Sequence, residues 1–103
     1  MIVVTVMYPN TEGSRFDLDY YMKKHMPLVA SHGQDIGLQS YQVMRGTGAP
    51  GGGKPAYHVM TNLTVSSLQA FQGGMETHGE EIMGDIPNFT DLRPVIQISE
   101  TVE

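Results

Sequence analysis

Histidine and tyrosine side chains at apolar positions are the residues of this chain whose chemistry could serve catalysis. His25 and Tyr21 share the inward stripe of a predicted helix, and Tyr20 lies about 100° around the same helix. A histidine titrates near neutral pH, so His25, flanked by phenols, could move a proton in a cofactor-free enolisation, dehydration or decarboxylation. The alternative of equal weight is a structural histidine, bonded to a carbonyl that is freed near Pro27.

Further polar and aromatic residues interrupt the apolar pattern, and they are candidates for substrate binding. Asn62 breaks the rhythm of a predicted strand, and His78 shares a helix stripe with Ile82. A purely structural role is the favoured alternative for His78. We predict that His25 and Tyr21 are the catalytic residues. The predicted substrate-binding residues are Tyr20, Asn62, His78, Asp85, Asn88 and Phe89.

The sequence lacks either the residues or the following helix that the common metal-binding and cofactor-binding motifs require. The chain has no cysteine, which excludes disulfides, thiolate catalysis and Cys-ligated metals. Its four histidines lack the H-x-E-x-H and H-E-x-x-H spacings, so we expect no metal. The letters of the dinucleotide fingerprint occur at Gly46, Gly48 and Gly51. Pro55 and a strand follow where that motif requires a helix, so we also expect no cofactor.

Composition and charge restrict the partners of the protein. The net charge is −5 and the basic residues are scattered, which argues against nucleic acids and anionic membranes. No apolar stretch approaches the roughly 20 residues that cross a bilayer. The apolar run at residues 2–7 has neither the basic flank nor the cleavage site of a signal peptide. We expect a cytoplasmic protein with no nucleic-acid partner and no membrane partner.

The hydrophobic pattern predicts the order strand, helix, strand, strand, helix, strand within a single domain, residues 1–103. The strands are expected at residues 2–8, 38–45, 57–65 and 95–98. One four-stranded antiparallel sheet with both helices on one face is the simplest packing of this order. The sequence therefore predicts an α+β protein.

Capping residues and prolines predict where the helices begin and break. Asp17 is a plausible N-cap of the first helix, with Ser14 as the competing candidate, and Pro27 should kink the helix or restart it near Met26. The second helix should begin at the capping box formed by Ser66 and Gln69. Its course is expected to be interrupted at residues 73–74 by two glycines, with a second capping box at residues 77–80.

The first strand is apolar on both of its faces, which bears on the oligomeric state. Ile2, Val4 and Val6 alternate with Val3 and Met7. A solvated sheet face should instead alternate apolar with polar residues. Two helices can cover only one face, so we expect a second copy of the chain to cover the other. Long loops over that face are the alternative.

Two blocks of sequence resemble the signatures of EthD-like proteins. Residues 15–27 (RFDLDYYMKKHMP) resemble the signature of their first helix. Residues 81–91 (EIMGDIPNFTD), followed by 94–100 (PVIQISE), resemble their C-terminal signature. The likeness spans almost the whole chain. It implies a ferredoxin-like βαββαβ fold and a homodimeric α/β barrel, in which two four-stranded sheets meet face to face.

The same resemblance implies several activities and a set of site residues. The group is named for bacterial ether-degradation clusters, and its members are often labelled reductases, which would make the chain a catabolic oxidoreductase. Fungal relatives resemble cofactor-free decarboxylases or dehydratases of aromatic polyketides. The helix-one histidine and tyrosines carry over onto His25, Tyr20 and Tyr21. The turn motif carries over onto Asp85, Pro87, Asn88 and Phe89.

These observations lead to three hypotheses about function. In the first, the protein binds a small, largely apolar catabolite, aromatic ones included, in a pocket between helices and sheet. His25 then acts as a general acid and base, and Tyr21 orients the substrate. In the second, it binds or delivers a hydrophobic intermediate of a degradation pathway without catalysis. In the third, it is a structural dimerisation module without a pocket.

Overall fold

The computed structural model describes residues 1–102 and confirms the predicted order of elements. The strands are β1 (Ile2–Pro9), β2 (Leu38–Arg45), β3 (Tyr57–Val65) and β4 (Val95–Glu100). The first helix consists of α1 (Leu18–Tyr20), a π-helical stretch (Tyr21–His25) and α2 (Met26–Ser31). The last helices are α3 (Leu68–Gly84) and a short 3-10 helix (Ile86–Asn88).

The four strands form one antiparallel sheet in the order β2-β3-β1-β4. The register places Val4 opposite both Leu63 and Ile98, on the face that the helices cover. Val4 is wholly buried there. This arrangement is the ferredoxin-like α+β fold, as predicted.

The outer face of the sheet carries one apolar row beside rows that are mainly polar. Met7 lies between Met60 and Val95, and Met60 pairs in turn with Met44, so one apolar row crosses all four strands. We call these four residues the methionine row. The next row along the strands is polar and consists of Gln42, Asn62, Thr5 and Gln97. On the outer face of β1, Met7 therefore belongs to an apolar row that spans the sheet, whereas Val3 lies between Thr64 and Ser99.

The first helix changes its winding just before its proline. Asp17 caps its start, since its Oδ1 accepts the N–H of Tyr20 at 3.0 Å. Over Tyr21–His25 the hydrogen bonds span five residues, and Met26 donates its N–H to the carbonyl of Tyr21. Pro27 follows in the first turn of α2 and has no N–H to donate to the helical residues before it. The break predicted near Met26 is thus a π-helical stretch, a feature that is frequent at functional sites.

The second helix departs from the predictions in two ways. Its N-cap is Ser67, whose hydroxyl accepts the N–H of Ala70, and Ser66 instead donates its own N–H to the carbonyl of Gly37. The predicted interruption at residues 73–74 and restart at 77–80 were wrong, since α3 is continuous. A Cβ at Gly74 would lie 2.5 Å from the carbonyl oxygen of Asp35. Glycine at this position therefore allows α3 to approach the loop at residues 32–37.

The core lies between the helices and the sheet. Its buried members are mainly aliphatic, with three aromatic rings near one end: Val4, Tyr8, Tyr21, Met26, Val29, Ile36, Val59, Leu63, Val65, Ile82, Ile86 and Phe89. Within residues 1–102, none of the helices has the length and apolar character that a bilayer crossing requires.

Candidate functional site

His25 is a buried titratable residue at the end of the π-helical stretch, and a carboxylate holds one of its nitrogens. Only 4% of the residue is exposed. Its Nδ1 lies 3.0 Å from Oδ2 of Asp85, which follows α3 directly. The irregular winding of the first helix and the end of α3 together bring these two side chains into contact.

Asp85 receives hydrogen bonds from three side chains. Its Oδ1 accepts the hydroxyl of Tyr20 at 2.7 Å and the amide of Asn88 at 2.9 Å. Burial by itself would raise the pKa of Asp85, but the hydrogen bonds from Asn88, Tyr20 and His25 outweigh it and hold this pKa below its usual value. The carboxylate is therefore ionised at neutral pH.

The ionised carboxylate determines the tautomer of His25. An ionised Asp85 can only accept, so Nδ1 of His25 must carry the proton. Burial lowers the pKa of His25, more than Asp85 raises it, and the ring is neutral at pH 7. Its Nε2 bonds to no other residue in the described part of the chain, and no buried side-chain nitrogen there lacks a partner. Nε2 therefore presents a free lone pair to an accessible space.

His25 lines a cavity of about 60 Å³ between the helices and the sheet. Its wall is largely aliphatic, with residues such as Val6, Leu63 and Ile82, and its polar groups come from Tyr8, Tyr21, His25 and Thr61. A cavity of about 150 Å³ is known to accommodate benzene. This cavity is smaller and admits water or a small functional group.

Tyr21 and Thr61 form a second polar pair on the cavity wall. The two hydroxyls share a hydrogen bond of 2.6 Å, and both residues are buried. Burial raises the pKa of Tyr21, more than its bonds to Thr61 and Tyr8 lower it. Burial, together with the neighbouring Tyr21, also raises the pKa of Tyr8. These phenols are neutral at pH 7 and can donate hydrogen bonds into the cavity.

Phe89 lies at the centre of an aromatic cluster behind His25. The ring is wholly buried, with its centroid 4.7 Å from that of His25 and 5.0 Å from that of Tyr21. Tyr8 and Phe16 pack against its edges at 5.8 and 5.3 Å. Phe89 is absent from the cavity wall. The contacts of Phe89 hold the imidazole of His25 in place. Phe89 itself has no direct access to a molecule in the cavity.

The structure places two predicted site residues away from this cluster. Asn62 lies on the outer face of the sheet, where its Oδ1 accepts the hydroxyl of Thr5 at 2.8 Å. His78 lies on α3, bonds through Nε2 to Asp35 at 2.7 Å and stacks on His32 at a centroid distance of 3.9 Å. Nowhere in residues 1–102 do three or more acidic or imidazole side chains form a set that could hold a metal ion.

The other six predicted residues converge, and sequence reasoning missed two that join them. Tyr8 and Thr61 line the cavity from β1 and β3. The alternation of β3 placed Thr61 on the same face as Val59 and Leu63. A single hydroxyl on a buried apolar face was the available signal, because such a group needs a partner.

Comparisons with known proteins identify the family of the chain and the fold that it shares. The family model described as the EthD domain matches residues 13–93. An EthD-like protein from Ralstonia eutropha JMP134 has a crystal structure that is similar with a TM-score of 0.91 and 44% identity, over 99% of this chain and 92% of that one. None of the curated proteins matches the sequence significantly.

Two more distant crystal structures show the fold alone. An ethyl tert-butyl ether D (EthD) family protein from Bacillus halodurans C-125 matches with a TM-score of 0.68 and 20% identity, over 99% of each chain. HapK from Hahella chejuensis matches with a TM-score of 0.61 and 13% identity, over 99% of this chain and 93% of that one. The domain match and the Ralstonia structure together show that the chain belongs to the EthD-domain family.

Proposed function

We propose that this protein is a cofactor-free acid/base enzyme that acts on a small, largely apolar catabolite, with His25 as the proton carrier. The tautomer of the His25 ring supports this proposal. Asp85 holds Nδ1 of His25 in its protonated form, while Nε2 is left free beside an apolar cavity. A neutral, oriented imidazole at such a place suits a general base that works near neutral pH.

The proposed step is an enolisation. Nε2 of His25 removes a proton from the carbon next to a carbonyl, and the electron pair of that C–H bond becomes the enolate double bond. The hydroxyl of Tyr21 donates a hydrogen bond to the oxygen on which negative charge develops. Asp85 stabilises the imidazolium that forms, and return of the proton to the same or a neighbouring atom restores His25.

Exchange of α-hydrogen for deuterium in D₂O tests this step without knowledge of the natural substrate. Acetophenone and 2-octanone are suitable apolar ketones, and NMR follows the loss of their α-hydrogens. We expect the wild type to accelerate exchange and His25→Ala to lower that acceleration by about 100-fold or more. His32→Ala is the matched control, because it removes a surface imidazole. Equal rates for wild type and His25→Ala would contradict the proposal.

Binding or delivery of an apolar molecule without turnover is the second candidate, and the largely apolar cavity wall supports it. It predicts that Tyr21→Ala weakens binding of a ligand, whereas His25→Ala leaves its chemical fate unchanged. Ethyl tert-butyl ether belongs in the ligand screen, because the description of the Bacillus halodurans relative names it. A thermal-shift measurement reports binding, since ligand raises the apparent stability by mass action.

We also propose that the protein works as a homodimer through the outer face of its sheet. The methionine row is partly exposed in a single copy: Met44 and Val95 are 38% and 47% exposed, and only the loop after β2 lies beside Met44 and Met60. A second copy of the same row would bury them. We expect a dimer by sedimentation and a monomer for Met60→Lys, since each dimer would bury two added charges. Met22→Lys, at an exposed helix position, should remain dimeric.

A further inference from the structure

The cavity beside His25 adjoins a larger groove on the surface. Met83, Ile86 and Pro94 line both spaces, so these three residues form the wall between them. The groove has a volume of about 500 Å³ and is bounded by the segment from residue 83 to residue 94. Met83 is 40% exposed and has a flexible, unbranched side chain, which makes it the movable part of this wall.

The sizes of the cavity and the groove indicate that two different parts of a ligand would occupy them. The inner cavity of about 60 Å³ is lined by His25, but it is too small for an aromatic ring or a long chain. The outer groove is large enough for the body of such a molecule. A ligand that reaches His25 would therefore insert one narrow end through the wall and leave its bulk in the groove.

Most polar groups of the groove already have partners. The hydroxyl of Thr90 donates to the carbonyl of Arg15 at 2.6 Å and accepts the N–H of Leu92 at 3.1 Å. Oδ1 of Asp91 accepts the N–H of Arg15 at 3.0 Å. Arg93 differs, because across residues 1–102 its guanidinium has neither an ion pair nor a hydrogen bond. The groove thus offers one cation without a bonding partner, beside the exposed carboxylate of Asp91.

We propose that the ligand is an amphipathic anion whose carboxylate, or an equivalent oxyanion, binds Arg93 while its other end, which is narrow, largely apolar and carries the carbonyl of the proposed enolisation, passes Met83 toward His25. A planar guanidinium is suited to a carboxylate because it can donate two parallel hydrogen bonds. This proposal rests on the proposed function, since it uses the same cavity. It adds the chemical class of the ligand and the residue that selects it.

Octanoate and octanamide test the proposal, because they share a narrow apolar chain and differ only in charge at one end. Their dissociation constants are measured by isothermal titration with the full chain. We expect the wild type to bind octanoate about three- to fivefold more tightly than octanamide, as for a single exposed ion pair. Arg93→Gln should make the two constants equal. Arg45→Gln, which removes the same charge from β2 at the other edge of the sheet, should keep the preference.

Two further outcomes decide the proposal. Met83→Trp should weaken the binding of both probes, because a bulky ring would block the passage. Equal affinities in the wild type, a preference that survives Arg93→Gln, or no saturable binding of either probe would overturn the inference. The assay reads binding alone, so it can fail while deuterium exchange by His25 stands. Exchange can likewise fail while the selectivity of Arg93 stands.

Discussion

The pairs His25–Asp85 and His78–Asp35 place the same two functional groups in different surroundings. The nitrogen–oxygen distances are 3.0 and 2.7 Å. The first pair is enclosed, with side-chain exposures of 5% and 14%, whereas the second has exposures of 19% and 65%. Aromatic rings and a cavity surround His25, and His78 stacks on His32 at the surface, where His32 in turn pairs with Glu81.

Two properties distinguish the candidate catalytic pair from the surface pair. They are the burial of the imidazole and whether its Nε2 is free or bonded to the carboxylate. At His25, desolvation lowers the pKa, and Nε2 remains free beside the cavity. At His78, the bonded atom is Nε2 itself, and water screens the carboxylate. The surface pair joins α3 to the loop at residues 32–37, a contact of small energetic value.

Among variants that compare the two pairs, we expect Asp85→Asn to have the largest effect, a loss of deuterium exchange. An amide can donate to Nδ1 and thereby favour the tautomer in which Nε2 carries the proton, so the base would be lost. We expect deuterium exchange to fall by about 100-fold to 10,000-fold relative to the wild type. Asp35→Asn is the control at the surface pair and should leave exchange unchanged. Equal losses for both variants would erase the distinction between the two pairs.

Phe89→Ala should cause the next largest effect, on stability. The ring is wholly buried and contacts His25, Tyr21 and other aromatic rings, so its removal leaves a cavity. We expect the free energy of unfolding to fall by about 3 to 5 kcal/mol in urea titrations. Tyr41→Ala, at a ring that is 41% exposed, should cost far less. A loss below about 1 kcal/mol for Phe89→Ala would mean that the cluster does not support the site.

A pH dependence of intermediate size follows from the lowered pKa of His25. In the folded protein the ring resists protonation, so the unfolded chain binds more protons once the pH falls below about 6.5. Stability should therefore decrease as the pH falls through this value, by at most about 1.4 kcal/mol per pH unit. His25→Gln should flatten the profile between about pH 5 and 7.

Asp85 contributes at more acidic pH, with the same sign. Its pKa is lowered in the fold, so the stability it provides is complete above its ordinary pKa of about 3.9 and is lost as the pH falls through the lowered value. The two contributions occupy separate pH ranges. A profile for His25→Gln that still falls between about pH 5 and 7 would contradict the assignment to His25.

The smallest effect is expected at the surface pair. His78→Ala should reduce the free energy of unfolding by about 1 kcal/mol or less, because its carboxylate partner is largely exposed. Deuterium exchange should be unchanged. A loss of exchange in His78→Ala, at wild-type stability, would show that the surface pair takes part in the reaction.

Local sequence signals predicted most of the fold. The alternation of β1, β2 and β3 and the N-cap at Asp17 agree with the structure. The errors lie in the second helix, where the sequence favours a break at residues 73–74. Glycine lowers helix propensity in a local reading, whereas the actual role of Gly74 is contact with a distant loop. Helix propensity depends on neighbouring residues, whereas Gly74 contacts Asp35, which lies far away in the sequence.

For the candidate site, the sequence by itself determined which residue types were present and that His25 and Tyr21 share an inward helix face. Only the tertiary structure decided their partners, since Asp85 lies 60 residues from His25 and Thr61 lies 40 from Tyr21. It also separated Asn62 and His78 from the cluster. The physical reason is that strand alternation and helix periodicity specify a face, while burial, tautomer and cavity arise from the packing of segments far apart in the chain.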